Sequence, residues 1–130
     1  MSEAPPIKIF VDSSSDGWRA AFAALIVEDG VKPRLIYGSA WHVSFGVVEA
    51  WGIKRAMRRV NAAHKGVRPI IVFTDDQRLV LSRLGGGIRY CWLPRTDDVM
   101  RFLHKVANGV RRSMPRRHPA DIQPGSRVIS

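Results

Sequence analysis

Four acidic residues in this chain have the type and placement to do chemistry. Asp12 closes the apolar run Ile7-Lys8-Ile9-Phe10-Val11, and Asp75 closes Ile70-Ile71-Val72-Phe73-Thr74. Glu49 lies on the apolar face of an amphipathic segment, and Asp98 stands near the start of the last one. Carboxylates gathered in one place repel one another and resist ionisation unless cations neutralise them. All-oxygen ligands of this kind suit Mg²⁺ or Mn²⁺. Two such ions roughly 4 Å apart can activate a water, hold a phosphate and stabilise the leaving oxygen. The chemistry implied is phosphodiester hydrolysis. Each acid also has a simpler reading: a strand-end or turn residue for Asp12 and Asp75, a partner of the helix dipole for Asp98, an ion pair for Glu49. Their recurrence at the ends of successive elements is what argues for a shared site.

The elements that must position these acids can be read from the pattern. Ile7 to Val11 is a β-rich run followed by the turn chemistry of Ser13 to Gly17. Trp18 to Glu28, the Asp29-Gly30 turn, and Pro33 to Trp41 extend it into an antiparallel meander, although the alanines of the second segment would also suit a helix. From Ser44, a candidate N-cap, to Gly66 the spacing is helical. Phe45, Val48, Gly52, Ala56, Val60 and Ala63 fall in one stripe, with Glu49 inside it and Lys54, Arg58 and Asn61 opposite. A carboxylate on that stripe is costly to bury without compensation. Ile70 to Thr74 reads as a strand buried on both faces, and a short helix then runs up to Gly85-Gly86-Gly87. Ile88 to Leu93 is the last expected strand. Thr96 is the expected cap of a final helix whose stripe is Val99, Phe102, Leu103, Val106 and Val110. The order βββαβαβα gives an α/β fold with a mixed five-stranded sheet, its later strands parallel to the first. Ligand sites in such sheets lie at the carboxyl ends of parallel strands, where Asp12 and Asp75 stand.

The 130 residues make one domain, with 21 Lys+Arg against 11 Asp+Glu and a formal net charge of +10. A polyanionic partner, most simply nucleic acid, is implied. Residues 109–130 hold Arg111, Arg112, Arg116, Arg117 and Arg127 against Asp121, with three prolines between. They are expected to form a disordered basic tail of charge +4 behind a short leader, residues 1–6, and a folded part, residues 7–108. The lone Cys91, and a start with no basic stretch leading into an apolar one, suit a reducing intracellular compartment: the cytoplasm, or the nucleus in a eukaryotic or viral host. No apolar run approaches the roughly 20 residues that a helical membrane span needs.

The segments IFVDSSSDGW, VVEAWGIKRAM, IIVFTDDQRLVLSR and WLPRTDDVMRF resemble the ribonuclease H-like family, and in motif style its compact domains in reverse-transcribing elements. The resemblance covers about residues 7 to 108. It implies that Asp12, Glu49, Asp75 and Asp98 are the metal-binding carboxylates of a two-metal (Mg²⁺ or Mn²⁺) endonuclease. Such an enzyme cuts the RNA strand of RNA/DNA hybrids and leaves 3′-hydroxyl and 5′-phosphate ends. Asp98 mimics the family's Asp-x-Leu through Met100 and lies nearer the apolar stripe than Asp97, which remains the substitute. The chain also departs from the family. Only a short helix and three glycines fit where cellular members often carry a basic protrusion, and Pro94-Arg95-Thr96 leaves no room for the His often found before the last helix. His104, inside that helix, is expected to pack or to face solvent. Arg55, Arg58, Arg59 and Lys65 could grip phosphates, with Arg95, Arg111 and Arg112 adding to them; a plain solvated face is the competing reading. The four tryptophans are expected mainly in the core. Two other functions fit the same residues: a different nuclease of this fold, such as a junction resolvase, and a nucleic-acid-binding module without activity.

Overall fold

In the computed structural model, residues 5–41, 43–64, 68–82, 88–114 and 127–128 are described. The sequence folds as three antiparallel strands, β1 (Ile7–Ser15), β2 (Arg19–Val27) and β3 (Arg34–Trp41), then helix α1 (Phe45–His64), strand β4 (Ile70–Thr74) and the short α2 (Gln77–Ser82). Strand β5 (Ile88–Trp92) and helix α3 (Asp98–Arg112) follow. The second segment is therefore extended, over Arg19–Val27. Gly17 and Gly30 supply the positive φ values, 87° and 74°, that the two hairpin turns require. The strand order is β5-β4-β1-β2-β3, with β4 parallel to both β1 and β5. A two-residue strand β6 (Arg127–Val128) extends the sheet at β3 through Ser39↔Val128 and Ala40↔Arg127.

Alternation along the strands sorts the apolar residues into two layers. Ile7, Ile9 and Val11 of β1 join Phe22, Ala24 and Ile26 of β2 and Val72 of β4 beneath Val48, Ile53, Ala56 and Val60 of α1. The opposite face carries Phe10, Ala23 and Leu25, covered by Met100, Leu103 and Ala107 of α3. Helix α1 comes close to the sheet at Gly52, where a Cβ would stand 2.6 Å from the Phe22 ring. Among the described residues no helix is long and apolar enough to cross a membrane.

Three expectations need correction. Strand β1 does not stop at Val11. Its ladder with β4 ends at Phe10↔Phe73, but its ladder with β2 continues to Ser15↔Ala20, because a hairpin partner persists after the parallel one has turned away. The cap of α3 is Asp97, not Thr96; its Oδ2 accepts from the backbone N–H groups of Val99 (3.1 Å) and Met100 (3.2 Å). The folded part also runs past residue 108. Helix α3 continues to Arg112, Met114 is buried against Trp41, and residues 127–128 pair with β3. An apolar anchor holds Met114 and the edge of β3 holds residues 127–128, where composition reads as unfolded. The remaining tail expected to be disordered, residues 115–126 and 129–130, lies outside the described residues.

Candidate active site

The fork in β1's pairing builds the site. Beyond Thr74 the chain leaves the sheet, so among the described residues β1 runs on from Val11 with no strand on its β4 side. Continuing the Phe10↔Phe73 register by two residues sets Asp12 beside Asp75. Thr74 follows Val72 on the α1 face, and its Oγ1 donates to Glu49 Oε2 at 3.1 Å while accepting from the Asp76 N–H at 3.0 Å. Asp12 approaches from the α3 face and Glu49 from the α1 face, and they meet in the gap that the end of β4 leaves open. Asp12, Glu49 and Asp75 each place a carboxylate oxygen within 4.8 Å of the others.

The electrostatics follow from that crowding. Glu49 is 2% exposed, and burial, then the charges of Asp75 and Asp12, push its pKa up to about 8 against the pull of the Thr74 hydrogen bond. Asp12, 1% exposed, is raised to about 6 by burial and then by Asp75, partly offset by the Ser13 backbone and by His104. Arg95 donates from Nε to Asp75 Oδ2 at 2.7 Å, and that hydrogen bond raises the guanidinium's own pKa. Its side chain remains largely exposed. Two buried carboxylates that ionise reluctantly beside a third form a hard, all-oxygen donor set short of positive charge, which fits Mg²⁺ or Mn²⁺. Glu49 and Asp75 line a cleft of about 600 Å³ bordered by Ser13, Asp76, Arg78, Trp92 and Arg95.

Asp98 is not part of this cluster. At 100° per residue it lies about 170° from the centre of the Met100, Leu103 and Ala107 line, and it is exposed in the first turn of α3. Asp97 is occupied as the N-cap. The residue of α3 that reaches Asp12 is His104, whose Nδ1 lies 3.0 Å from Asp12 Oδ2. It is 37% exposed and neither packs in the core nor points away from the site. Its signal in the sequence was its place one turn past Met100, on the side of the helix that faces the sheet.

The expected phosphate contacts divide. Arg58 and Arg59 are exposed on α1, about 14 Å along the helix from Glu49, and Arg112 is exposed at the end of α3. Arg55 is half-buried with Nη1 donating to the Tyr37 carbonyl at 3.4 Å, and Lys65 lies outside the described residues. Arg111 is engaged within the fold: Nε donates to Ser14 Oγ at 2.8 Å and Nη1 to Asp16 Oδ2 at 3.2 Å. Trp18 and Trp41 stack at a tilt over Met114, and Trp51 meets Phe22 edge-on. Trp92 departs from the expected core position. It is 48% exposed at the end of β5, on the rim of the cleft.

No protein-family model and no curated protein sequence matches the chain. Solved structures do. LC11-RNase H1, isolated from compost by a metagenomic approach and solved in complex with an RNA/DNA hybrid, superimposes with a TM-score of 0.67 at 11% identity, over 82% of this chain and 96% of that one. The fold is ribonuclease H-like. RNase H1 from the halophilic archaeon Halobacterium salinarum gives a TM-score of 0.61 at 14% identity over 85% of this chain and all of that one. The protease-reverse transcriptase of prototype foamy virus gives 0.63 at 11% identity, over 84% of this chain and 21% of the larger one. In this ribonuclease H-like sheet Asp12 stands two residues past the end of the β1/β4 parallel ladder, Asp75 just past the end of β4, and Glu49 on the helix that covers them.

Proposed function

We infer that the protein is a divalent-metal-dependent endonuclease that hydrolyses the RNA strand of RNA/DNA hybrids with two Mg²⁺ or Mn²⁺ ions. The observation that carries this reading is the meeting of Asp12, Glu49 and Asp75 at the β1/β4 fork of a ribonuclease H-like sheet. Bound there, the cations supply activation of a water and neutralisation of charge on the scissile phosphate. Asp12, Glu49 and Asp75 would hold them. Thr74 fixes the Glu49 carboxylate through its hydroxyl. Arg95 exchanges Asp75 for a phosphate oxygen when substrate enters, since both are anionic acceptors matched to its planar fork. Trp92 offers an exposed ring on which a base or ribose can stack. Cleavage leaves a 3′-hydroxyl and a 5′-phosphate.

The test is cleavage of a labelled hybrid by the purified chain with Mg²⁺ or Mn²⁺, with each metal omitted in turn. Metal-dependent cutting that Asp75→Asn abolishes supports the reading; no cutting, or equal cutting by Asp75→Asn, overturns it. A second reading, a nucleic-acid-binding module without cleavage, draws on the Arg95–Asp75 ion pair and on the position of Asp98 outside the cluster. Calorimetry that finds no Mn²⁺ binding, together with strong, salt-sensitive binding of hybrid, selects it. Including duplex DNA, duplex RNA and a four-way junction in the cleavage panel separates hybrid cutting from resolvase activity.

A further inference from the structure

The seam between β1 and α3 changes character along its length. It is apolar where Phe10 meets Met100 and Leu103, and polar where Asp12, Ser14 and Asp16 meet His104, Asn108 and Arg111. The hydrogen bonds of the polar half have a readable direction, because an arginine can only donate. Arg111 Nε donates to Ser14 Oγ at 2.8 Å, and its Nη2 donates to Asn108 Oδ1 at 3.4 Å. Ser14, with its oxygen accepting from Arg111, gives its own proton to Asn108 Oδ1. Oδ1 is thereby fixed on the Ser14 side, which turns the Asn108 amide nitrogen toward His104 Nε2, 3.4 Å away. An NH₂ group facing Nε2 requires a lone pair there, since a proton on Nε2 would point at two more. The imidazole proton therefore sits on Nδ1 and is donated to Asp12 Oδ2 at 3.0 Å.

We propose that His104 is a positioning residue of the candidate metal site: an imidazole, aimed by Arg111, Ser14 and Asn108, that ties down one oxygen of Asp12 through Nδ1 and leaves the other for a cation. The proposal rests on the site reading given above. It assigns to the face of α3 nearest Asp12 a hydrogen-bond donor rather than a fourth carboxylate. It also explains why Arg111, a basic residue near the end of α3, is committed to the fold instead of to a phosphate. Direct ligation through Nε2 would need the Asn108 contact to break, and ligation through Nδ1 would need the Asp12 bond to break. A hydrogen-bond donor that holds a ligating group in place typically changes metal affinity by ~10–100-fold.

Two measurements on the full chain test it. In the metal-free protein, long-range ¹⁵N–¹H correlation of the imidazoles is expected to show one histidine with the proton on Nδ1 and none on Nε2, identified as His104 by its loss in His104→Asn. By calorimetry with Mn²⁺, His104→Leu is expected to weaken binding by ~10-fold or more. His104→Asn, whose amide nitrogen stands close to the position of Nδ1, should stay near wild type. Asn108→Leu, which frees the tautomer, should fall between. A proton on Nε2, or Mn²⁺ affinity unchanged in His104→Leu, overturns the proposal. Absence of Mn²⁺ binding in the wild-type protein overturns the site reading instead, and the spectrum then decides the hydrogen-bond chain by itself.

Discussion

Replacing Glu49 with Gln should make the metal-free protein more stable at alkaline pH, although it removes a residue proposed to hold the cation. The Glu49 carboxylate has an ordinary value of 4.5 and is pushed up to about 8 in the fold, by burial first and by Asp75 and Asp12 next. An acid with a raised folded pKa contributes stability that is complete below its unfolded value and lost as pH rises through its folded one. Between those limits each pH unit costs ~1.4 kcal/mol, so by pH 8 the accumulated penalty reaches roughly 4 kcal/mol, close to its ceiling of ~5 kcal/mol. Gln at position 49 carries no charge, and its amide oxygen can still accept from Thr74 Oγ1, so the penalty disappears while the hydrogen bond is kept. For a chain of this size about 4 kcal/mol corresponds to roughly 15 °C in Tm. Thermal unfolding followed by circular dichroism in EDTA, from pH 5 to pH 8.5, measures it. The wild-type Tm should fall steadily relative to Glu49→Gln, with the two within about 1 kcal/mol at pH 5. The Asp12 shift to about 6 adds a smaller decline common to both proteins. Mg²⁺ at pH 8 should close the gap by stabilising the wild type alone. Parallel curves across the range, or a wild type that stays the more stable protein at pH 8 in EDTA, would refute the electrostatic argument.

Other expected outcomes follow from the same contacts. Trp92→Ala should raise the KM for hybrid by about tenfold with little change in Tm, since base stacking on an exposed ring is worth ~1–3 kcal/mol and the side chain supports no core; steady-state kinetics beside a melting curve checks this. Gly52→Ala should lower stability by ~1–3 kcal/mol, because the added Cβ meets the Phe22 ring at 2.6 Å and outweighs the gain of about 1 kcal/mol in helix propensity; urea denaturation reads the sign directly. Glu28→Ala should cost ~3 kcal/mol by the same assay, since the buried carboxylate pairs with Arg68 at 3.1 Å and Arg34 at 3.6 Å and its removal leaves two guanidinium groups without it.

Much of the fold was legible because its signals are local. The β4 run Ile70–Thr74 is apolar throughout and flanked by Pro69 and Asp75, and its bounds agree with the structure to the residue. Glu49 stood out as a charge inside the Val48, Gly52, Ala56 and Val60 stripe, which is the face that α1 presents to the sheet. The extension of β1 to Ser15 was not legible. Asp12-Ser13-Ser14-Ser15 reads as turn chemistry, and only the hairpin partner β2 holds those residues extended. That difference bears on the site. A strand that ended at Asp12 would present the carboxylate at a loose end, whereas β1 is pinned by β2 on one side and open on the other.

The packed face of α3 departs from its hydrophobic stripe for a reason that also explains the site. Hydrophobic periodicity finds the side of a helix that is apolar, and it equates that side with the one facing the sheet. Val99, Phe102, Leu103, Val106 and Val110 centre the expected stripe about 75° from the line of Met100, Leu103 and Ala107 that is fully buried, and Phe102 is half-exposed. The pattern fails here because the second half of β1 is itself polar. A helix packed along it must meet Asp12, Ser14 and, just past the strand, Asp16 with polar side chains, so His104, Asn108 and Arg111 lie on the packed side. Rotated into its true phase, α3 carries Asp98 to solvent and brings His104 to Asp12. A strand that places acids at a site therefore selects a helix whose inward face is not its most apolar one, and a polar side chain one turn from a buried Met or Leu becomes a stronger site candidate than an acid at the helix start.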